Sequence, residues 1–342
     1  MFRWFCYGNE LLDIQGQILA IDQTTTSLAC RGTGMSTTDT DRATGTLLGL
    51  ACGDALGRPV EFRSPEQIAT EHGRVTEMLA NGTHGQPAGT VTDDTDLALC
   101  IAQSLTEQGS FDGQDIADRF AAWYDDGPFD IGLMTADAIS EYKAGTSWRD
   151  AGREVWQRRA EGSNAGNGSI MRCAPHAIAF ADEPDTLERV SKQSSAITHR
   201  DPRCQYGCVL LNQTIAGFLR GAESPLADAV ARVDGDGPDE LVESIRLVPD
   251  LVDEQQLENT GYIVHTLQTS LYDALTADSA EEAIVTSVNR GGDTDTLGAV
   301  TGALAGARFG AAGLPDRWLE TVEYREDFEL LGQALATGQI VG

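Results

Sequence analysis

Positive charge is scarce in this sequence. Among 342 residues, 24 lysines and arginines face 53 acidic side chains, a formal net charge of −29, and only Lys143 and Lys192 are lysines. Such a surface repels nucleic acid and anionic membranes, so neither a nucleic-acid groove nor a membrane surface is expected as a partner. It suits a salt-rich cytoplasm, where dissolved ions screen self-repulsion, and points to a halophilic source. Paired cysteines are missing too. The seven thiols (Cys6, Cys30, Cys52, Cys100, Cys173, Cys204 and Cys208) are odd in number and form no CxxC, which reads as reduced cysteine in the cytoplasm. Cys204 and Cys208 lie near His199, but small apolar thiols on a helix face explain them better than a zinc site. No apolar run approaches the length of a membrane span. The opening MFRWFCYGNELLDIQGQILAID is interrupted by Asn9, Glu10, Asp13 and Gln15 and does not read as a signal peptide. Sustained two-residue alternation is absent as well, leaving Arg74 to Leu79 as a weak strand candidate.

What the sequence does have is helical period. The 41% hydrophobic content is enough for a sizeable core. Apolar residues recur at helix spacing in 44–57, 95–107, 114–124, 132–143, 185–197, 203–220, 261–276, 280–288, 295–310 and 326–337. Thr92 and Asp93, Asp201-Pro202, and Asp293 stand where helix starts are expected. These patterns predict an all-α fold, one compact multi-helix domain. The domain is assigned to 39–342. Residues 1–38, with the aromatic group Phe2, Trp4, Phe5 and Tyr7 and a plausible start at Met35, read as an extension outside it. Glycine is disfavoured in helices by about 1 kcal/mol against alanine. Its repeated use at Gly49 and Gly53, with Ala51 and Ala55, and at Gly298, Gly302 and Gly306 therefore predicts two helices in close approach.

Two acidic clusters carry the chemistry. Thr92-Asp93-Asp94-Thr95-Asp96 and Gly291-Gly292-Asp293-Thr294-Asp295-Thr296 each open an apolar helix. One capping side chain per helix needs no further reason, but this density of like charge is more than capping requires. Brought together, the clusters could supply the oxygens that one or two hard divalent cations want. With no histidine or cysteine inside them, Mg²⁺, Mn²⁺ or Ca²⁺ fits better than zinc. Glu61 follows a helix that should end at Gly57, beside apolar Phe62, where a carboxylate could act as acid or base. Gly166 to Arg172 reads as a glycine loop running into a helix, with backbone N–H groups free for an anion. His199 sits in a helix-to-helix turn, and Asp130 in Phe129-Asp130-Ile131-Gly132 opens another helix. Asp234-Gly235-Asp236-Gly237 reads as an acidic surface turn rather than a calcium loop.

Taken in order, GDALGRPVEF, TDDTDLAL, FDIGLMT, GNGSIMR, THRDP and GGDTDTLGAVTGALAG resemble the ADP-ribosylglycohydrolase family over roughly Ala43 to Gly310. The resemblance implies an all-α fold with a two-metal Mg²⁺ or Mn²⁺ site between helices. By matching position it implies Thr92, Asp93, Asp94, Asp293, Asp295 and Thr296 as metal ligands and Glu61 and Asp130 as the catalytic carboxylates. It likewise implies Asn167, Gly168, Ser169 and Met171 as the loop lining the ADP-ribose site, with His199 on the substrate side. The implied activity is hydrolysis of the glycosidic bond of ADP-ribose attached to a protein or small acceptor, the modified protein or conjugate being the partner. Two alternatives stay open: a metal-dependent hydrolase of another nucleotide-like glycoside or phosphoester, and a non-catalytic ADP-ribose-binding member of the fold.

The charge generates a prediction. Between 0.01 M and 1 M salt the Debye length shrinks from about 30 Å to about 3 Å, so the melting temperature should climb across that range. A melting temperature that does not move contradicts the salt-rich reading.

Overall fold

The computed structural model describes residues 37–160 and 162–339; the aromatic group near Trp4, Cys6, Cys30 and the readings made on residues 1–34 lie outside them. Among the described residues are sixteen α-helices and no β-strand, only isolated bridges at Asn81–Gln86 and Gly166–Tyr262. In chain order they are α1 (Thr37–Gly57), α2 (Pro65–His72), α3 (Asp93–Gln108), α4 (Gly113–Asp125), α5 (Leu133–Lys143) and α6 (Ala151–Arg158). There follow α7 (Pro175–Ala179), α8 (Pro184–Ala196), α9 (Pro202–Leu219), α10 (Pro225–Val233) and α11 (Asp239–Arg246). The last are α12 (Ile263–Thr276), α13 (Ala280–Val288), α14 (Thr294–Phe309), α15 (Asp316–Leu319) and α16 (Arg325–Thr337). All ten segments with helical period are helices. The six that period did not reveal (α2, α6, α7, α10, α11 and α15) have at most nine residues, too short for a repeat to stand out.

The centre of the molecule is an antiparallel pair, α1 and α14, flanked by α9, α12, α13 and α16. Residues 43–60 are buried without interruption, and so is every residue from Thr294 to Ala307. These helices are apolar or small all round, the pattern of helices inside a core rather than on its surface. They touch through glycine. A Cβ on Gly302 would stand 1.9 Å from the carbonyl oxygen of Gly49, one on Gly53 1.9 Å from that of Gly298, and one on Gly306 1.8 Å from that of Gly45. The contact row is thus Gly45, Gly49, Gly53 and Gly57, at a strict spacing of four. This corrects the expected row through Ala51 and Ala55, which are buried against other parts of the core.

Thr92 and Asp201 cap α3 and α9 as expected, each accepting a backbone N–H. Asp293 stands at the N-cap position of α14 but makes no capping bond. The strand candidate Arg74 to Leu79 is irregular chain. Its Val75 donates N–H to Asn289 Oδ1 and accepts from Asn289 Nδ2, both at 2.9 Å, so one side chain supplies the pairing that a strand would. Cys204 and Cys208 are buried on α9, their thiols near Gly166 O (3.2 Å) and Ser169 Oγ (3.5 Å), and the Asp234 turn is an exposed one paired to Arg246. Among the described residues no helix is long and apolar enough to cross a membrane.

The glycine contact predicts that Gly302→Ala lowers stability even though alanine is the better helix former. Forcing a methyl against the Gly49 carbonyl should outweigh the helix gain of about 1 kcal/mol and leave a net loss of about 1–3 kcal/mol. Equal or higher stability in a denaturant titration would mean that the helices can separate freely.

Candidate active site

Because α1 and α14 run antiparallel, the end of α1 lies beside the start of α14, and this places Glu61 against the second acidic cluster. The junction is fixed by backbone: Phe62 N donates to Gly292 O (2.7 Å) and Gly292 N to Arg63 O (2.8 Å). Gly291 and Gly292 have φ of 71° and 78°, and a Cβ on either would collide with Arg63 O or Asn259 O, so only glycine fits the turn. Asp293, freed from capping, instead accepts from Asn167 Nδ2 at 2.9 Å.

The first cluster meets the second through α3. Asp54 on α1, fully buried, accepts from the N–H groups of Thr92 (2.9 Å) and Thr95 (3.2 Å) and from the Thr95 hydroxyl. It thereby takes over much of the N-terminal capping of α3 and leaves Asp93 and Asp94 free. Asp93 accepts from Gly132 N at 3.3 Å, and Asp94 Oδ2 from Thr92 Oγ1 (3.3 Å) and Thr296 Oγ1 (3.4 Å). Asp94 Oδ1 is buried with no hydrogen-bond partner. An orphaned carboxylate oxygen among other carboxylates is what a cation-binding site presents when judged by its protein atoms alone. A carboxylate oxygen of Glu61 lies within 4.8 Å of one on Asp293 and one on Asp295.

Burial raises the pKa of Asp54, Glu61, Asp93, Asp94 and Asp295, and repulsion from neighbouring carboxylates raises it further. Desolvation is the larger cause at each. It holds Asp93, Asp94 and Asp295 well above the carboxylate range, Asp54 at about 7 and Glu61 at about 9. Asp130 is raised by burial and partly offset by the nearby His84. A divalent cation would relieve both causes at once.

A cavity of about 390 Å³ opens over this floor. Of the residues singled out in the sequence, Glu61, Asp93, Asp130, Asn167, Gly168, Met171, His199, Asp293, Asp295 and Thr296 line it. Thr92 and Asp94 are buried beneath, each 1% exposed. Ser169 is not in the wall: its hydroxyl is turned away, accepting from Ser195 Oγ at 2.9 Å. The glycine loop does not run directly into a helix. Tight turns separate it from α7, and the N–H groups of Asn167 and Met171 are already bonded to Gly261 O and Asn167 O.

The far wall carries donors. His199 is 2% exposed, and burial and Arg172 lower its pKa to about 3, so it is neutral. Thr198 Oγ1 accepts from Arg172 Nη2 (2.6 Å) and lies 2.7 Å from His199 Nδ1. A Thr198 hydroxyl that donates its proton to Nδ1 would place the ring proton on Nε2, on the side of Gly166 and Gly168. Arg159, bonded to the Asp137 carboxylate at 2.8 Å, brings a positive charge to the same wall. Phe62, Phe129 and Leu133 stand exposed around the cavity.

Four residues of the site and its scaffold were given no role in the sequence reading, although Asp54, Arg58 and Arg172 lie in segments it singled out. Asp54 lay inside a segment already singled out, but nothing local marks a carboxylate that caps a distant helix. Arg58 is wholly buried without a carboxylate partner, its guanidinium bonded to the carbonyls of Leu79, Asn81, Pro87 and Thr90. Arg172 clamps Gly168 O at 2.8 Å. His84, in a polar turn, lies with Nε2 2.5 Å from Glu61 Oε2 and 3.9 Å from Asp130 Oδ2.

Comparison with known proteins gives a consistent result. A model of the ADP-ribosylglycohydrolase family matches residues 35–341. ADP-ribosyl-[dinitrogen reductase] glycohydrolase of Rhodospirillum rubrum is 33% identical over 303 residues, 88% of this chain and 97% of that one. ADP-ribosylarginine hydrolase Tri1 of Pseudomonas putida is 34% identical over 312 residues, 86% of this chain and 78% of that one. The solved structure of an ADP-ribosylglycohydrolase-related protein complex superposes with a TM-score of 0.75 at 33% identity, covering 88% of this chain and 99% of the other.

The carboxylate cluster generates a pH prediction. A carboxyl whose folded pKa exceeds its unfolded value keeps a proton that the unfolded chain loses. Without a cation, stability therefore falls as pH rises from about 4 through the folded values, about 7 for Asp54 and about 9 for Glu61. A cation replaces those protons, so its stabilisation should grow over the same window. Chelator-treated protein melted with and without MgCl₂ should gain more at about pH 8 than at about pH 5.5, and Asp94→Asn should lose most of that gain. Equal gains at both pH values, or none, contradict a cation site here.

Proposed function

The chain belongs to the ADP-ribosylglycohydrolase family, and we propose that this cavity hydrolyses the glycosidic bond of ADP-ribose on a modified protein or small conjugate, using two Mg²⁺ or Mn²⁺ ions. The observation that carries the reading is the position of Glu61. Its carboxylate is shared between Asp293 and Asp295 on one side and His84 and Asp130 on the other, with carboxylate and imidazole atoms within 4.8 Å in each group. The donors present fit hard divalent cations: buried carboxylates, hydroxyls of Thr92 and Thr296, and one orphaned oxygen. Thr92, Asp93, Asp94, Asp293, Asp295 and Thr296 would hold them. When bound, such ions supply Lewis acidity and a grip on hydroxyl oxygens.

The chain's own residues supply the rest. Breaking the bond at the anomeric carbon builds oxocarbenium character, which a wall of carboxylates stabilises. Asp130, with a quarter of its side chain exposed, takes the proton of the attacking water as the bond from the anomeric carbon to the acceptor breaks, and returns that proton to the departing acceptor; Glu61 beside it shares the task. The closest oxygens of the two are nearer than the roughly 6.5–9.5 Å that separates an acid and a base on opposite faces of a sugar. They act as one unit on one face. His199 and, through its amide oxygen, Asn167 orient the substrate, and the Arg172 clamp on Gly168 O keeps their loop in place. The arginine linkage named for the Pseudomonas relative is the first acceptor to test. We propose further that the catalytic domain is 39–342, preceded by an extension, and that the enzyme works in a salt-rich cytoplasm.

Glu61→Gln and Asp130→Asn keep shape and hydrogen bonding while removing a base. Each is expected to lower kcat on ADP-ribosylarginine by about 10²–10⁴-fold, with ADP-ribose affinity by calorimetry little changed. Near-normal turnover in both variants would remove the carboxylate pair from the mechanism.

A further inference from the structure

His84 is held in place by more contacts than a surface turn needs. It ends a short 3₁₀ turn, Gly82–His84, inside the segment that Arg58 gathers through the carbonyls of Leu79, Asn81 and Pro87. Gly82 packs against Pro59 so closely that a Cβ would stand 2.2 Å from its carbonyl oxygen. Thr83 Oγ1 donates to the backbone oxygen of Glu61 at 2.7 Å. The turn is therefore fastened to Pro59 and to the backbone of Glu61 itself, the residue whose carboxylate the ring meets. The imidazole lies 5.5 Å from the Phe129 ring, centre to centre, next to Asp130 in sequence. Its Nε2 stands 2.5 Å from Glu61 Oε2 and 3.9 Å from Asp130 Oδ2. It does not line the cavity, so it reaches the substrate only through these carboxylates.

We propose that His84 is the positioning residue of the reaction, its Nε2–H fixing the Glu61 carboxylate and holding it in register with Asp130. A glutamate has three side-chain torsions, and the backbone at Glu61 leads into Phe62 at a φ of 63°. Without a donor behind it, the carboxylate would be free to swing toward the cations or away from Asp130. A hydrogen bond behind a catalytic group restricts it to the productive orientation, and loss of such a bond commonly reduces activity about 10–100-fold.

The proposal rests on the reading that Glu61 takes part in the reaction, and the test keeps the two apart. His84→Phe retains a ring against Phe129 and removes the donor; His84→Gln restores a donor without the ring. In the full-length chain with Mg²⁺, His84→Phe should lower kcat on ADP-ribosylarginine about 10–100-fold, with KM and the calorimetric affinity for ADP-ribose unchanged. His84→Gln should recover part of the loss. In a Glu61→Gln background, adding His84→Phe should have little further effect, since the group it positions is already gone. Full turnover in His84→Phe while Glu61→Gln is impaired overturns the positioning role alone. A loss that tracks a lowered melting temperature, is not recovered by glutamine and adds fully to Glu61→Gln also overturns it, as a structural effect. Unimpaired Glu61→Gln overturns the reading beneath it together with the proposal.

Discussion

Backbone-to-backbone contact between α1 and α14 is the constraint from which the site follows. Four glycine positions on α1 meet their counterparts on α14 at distances that leave no room for a methyl group. At such contact an antiparallel pair has essentially one register, because sliding either helix would drive a side chain into a carbonyl. That register sets Gly57 beside Thr294, whose hydroxyl donates to Gly57 O at 2.8 Å. It therefore sets Glu61, four residues beyond Gly57, beside Asp293 and Asp295. The core contact and the active site are one geometric fact seen at two ends of the same helix pair.

Such a site opposes folding. Buried carboxylates are desolvated and repel one another, and this chain holds them with few lysines or arginines nearby. What cations it buries serve the scaffold. Arg58 neutralises no carboxylate by direct contact but gathers four carbonyls, and Arg172, its pKa lowered to about 10 by burial, still carries charge while clamping Gly168 O. Among the described residues no lysine or arginine pairs directly with the negative cluster, a state that a stable fold accepts where a cation from outside completes it. Asp54 shows the same division of labour among the acids: by accepting the N–H groups of Thr92 and Thr95 it leaves the Asp93 carboxylate and Asp94 Oδ1 out of the capping of α3.

Much of this was legible in the sequence because it is local. Helical period marks segments long enough to repeat, which is why α1, α3, α9 and α14 could be read and α7 and α15 could not. The acidic clusters announce themselves by crowding, and the six ordered motifs carry the family. The remainder depends on residues meeting across long separations. The glycine row could be read as small residues but not as Gly45 to Gly57, since the partner helix decides which face counts. Arg74 to Leu79 looked like a strand because a lone segment cannot show that Asn289, more than two hundred residues on, supplies its pairing. His84 and Asp54 carry no local signal; Asp54 acquires its role only when α1 is folded against α3, and His84 only when its turn is folded against Glu61 and Asp130.

The same separation explains how a chain of this charge can hold an anionic ligand. Net charge acts through a screened field over many ångströms, whereas binding is decided by the few groups within hydrogen-bond reach. The cavity is divided accordingly. Its floor of carboxylates suits a cationic transition state and the hydroxyls of a sugar. The wall beyond it offers neutral and positive groups: the imidazole of a histidine that burial keeps unprotonated, and the Arg159 guanidinium. Protonated His199 would add a desolvated charge beside Arg172; the neutral ring keeps its donor and avoids that repulsion. On the function proposed above, a diphosphate-bearing sugar laid across such a cavity would meet acid at the sugar and neutral or positive groups at the phosphates, and the asymmetry of the wall, rather than the sign of the whole protein, would orient it.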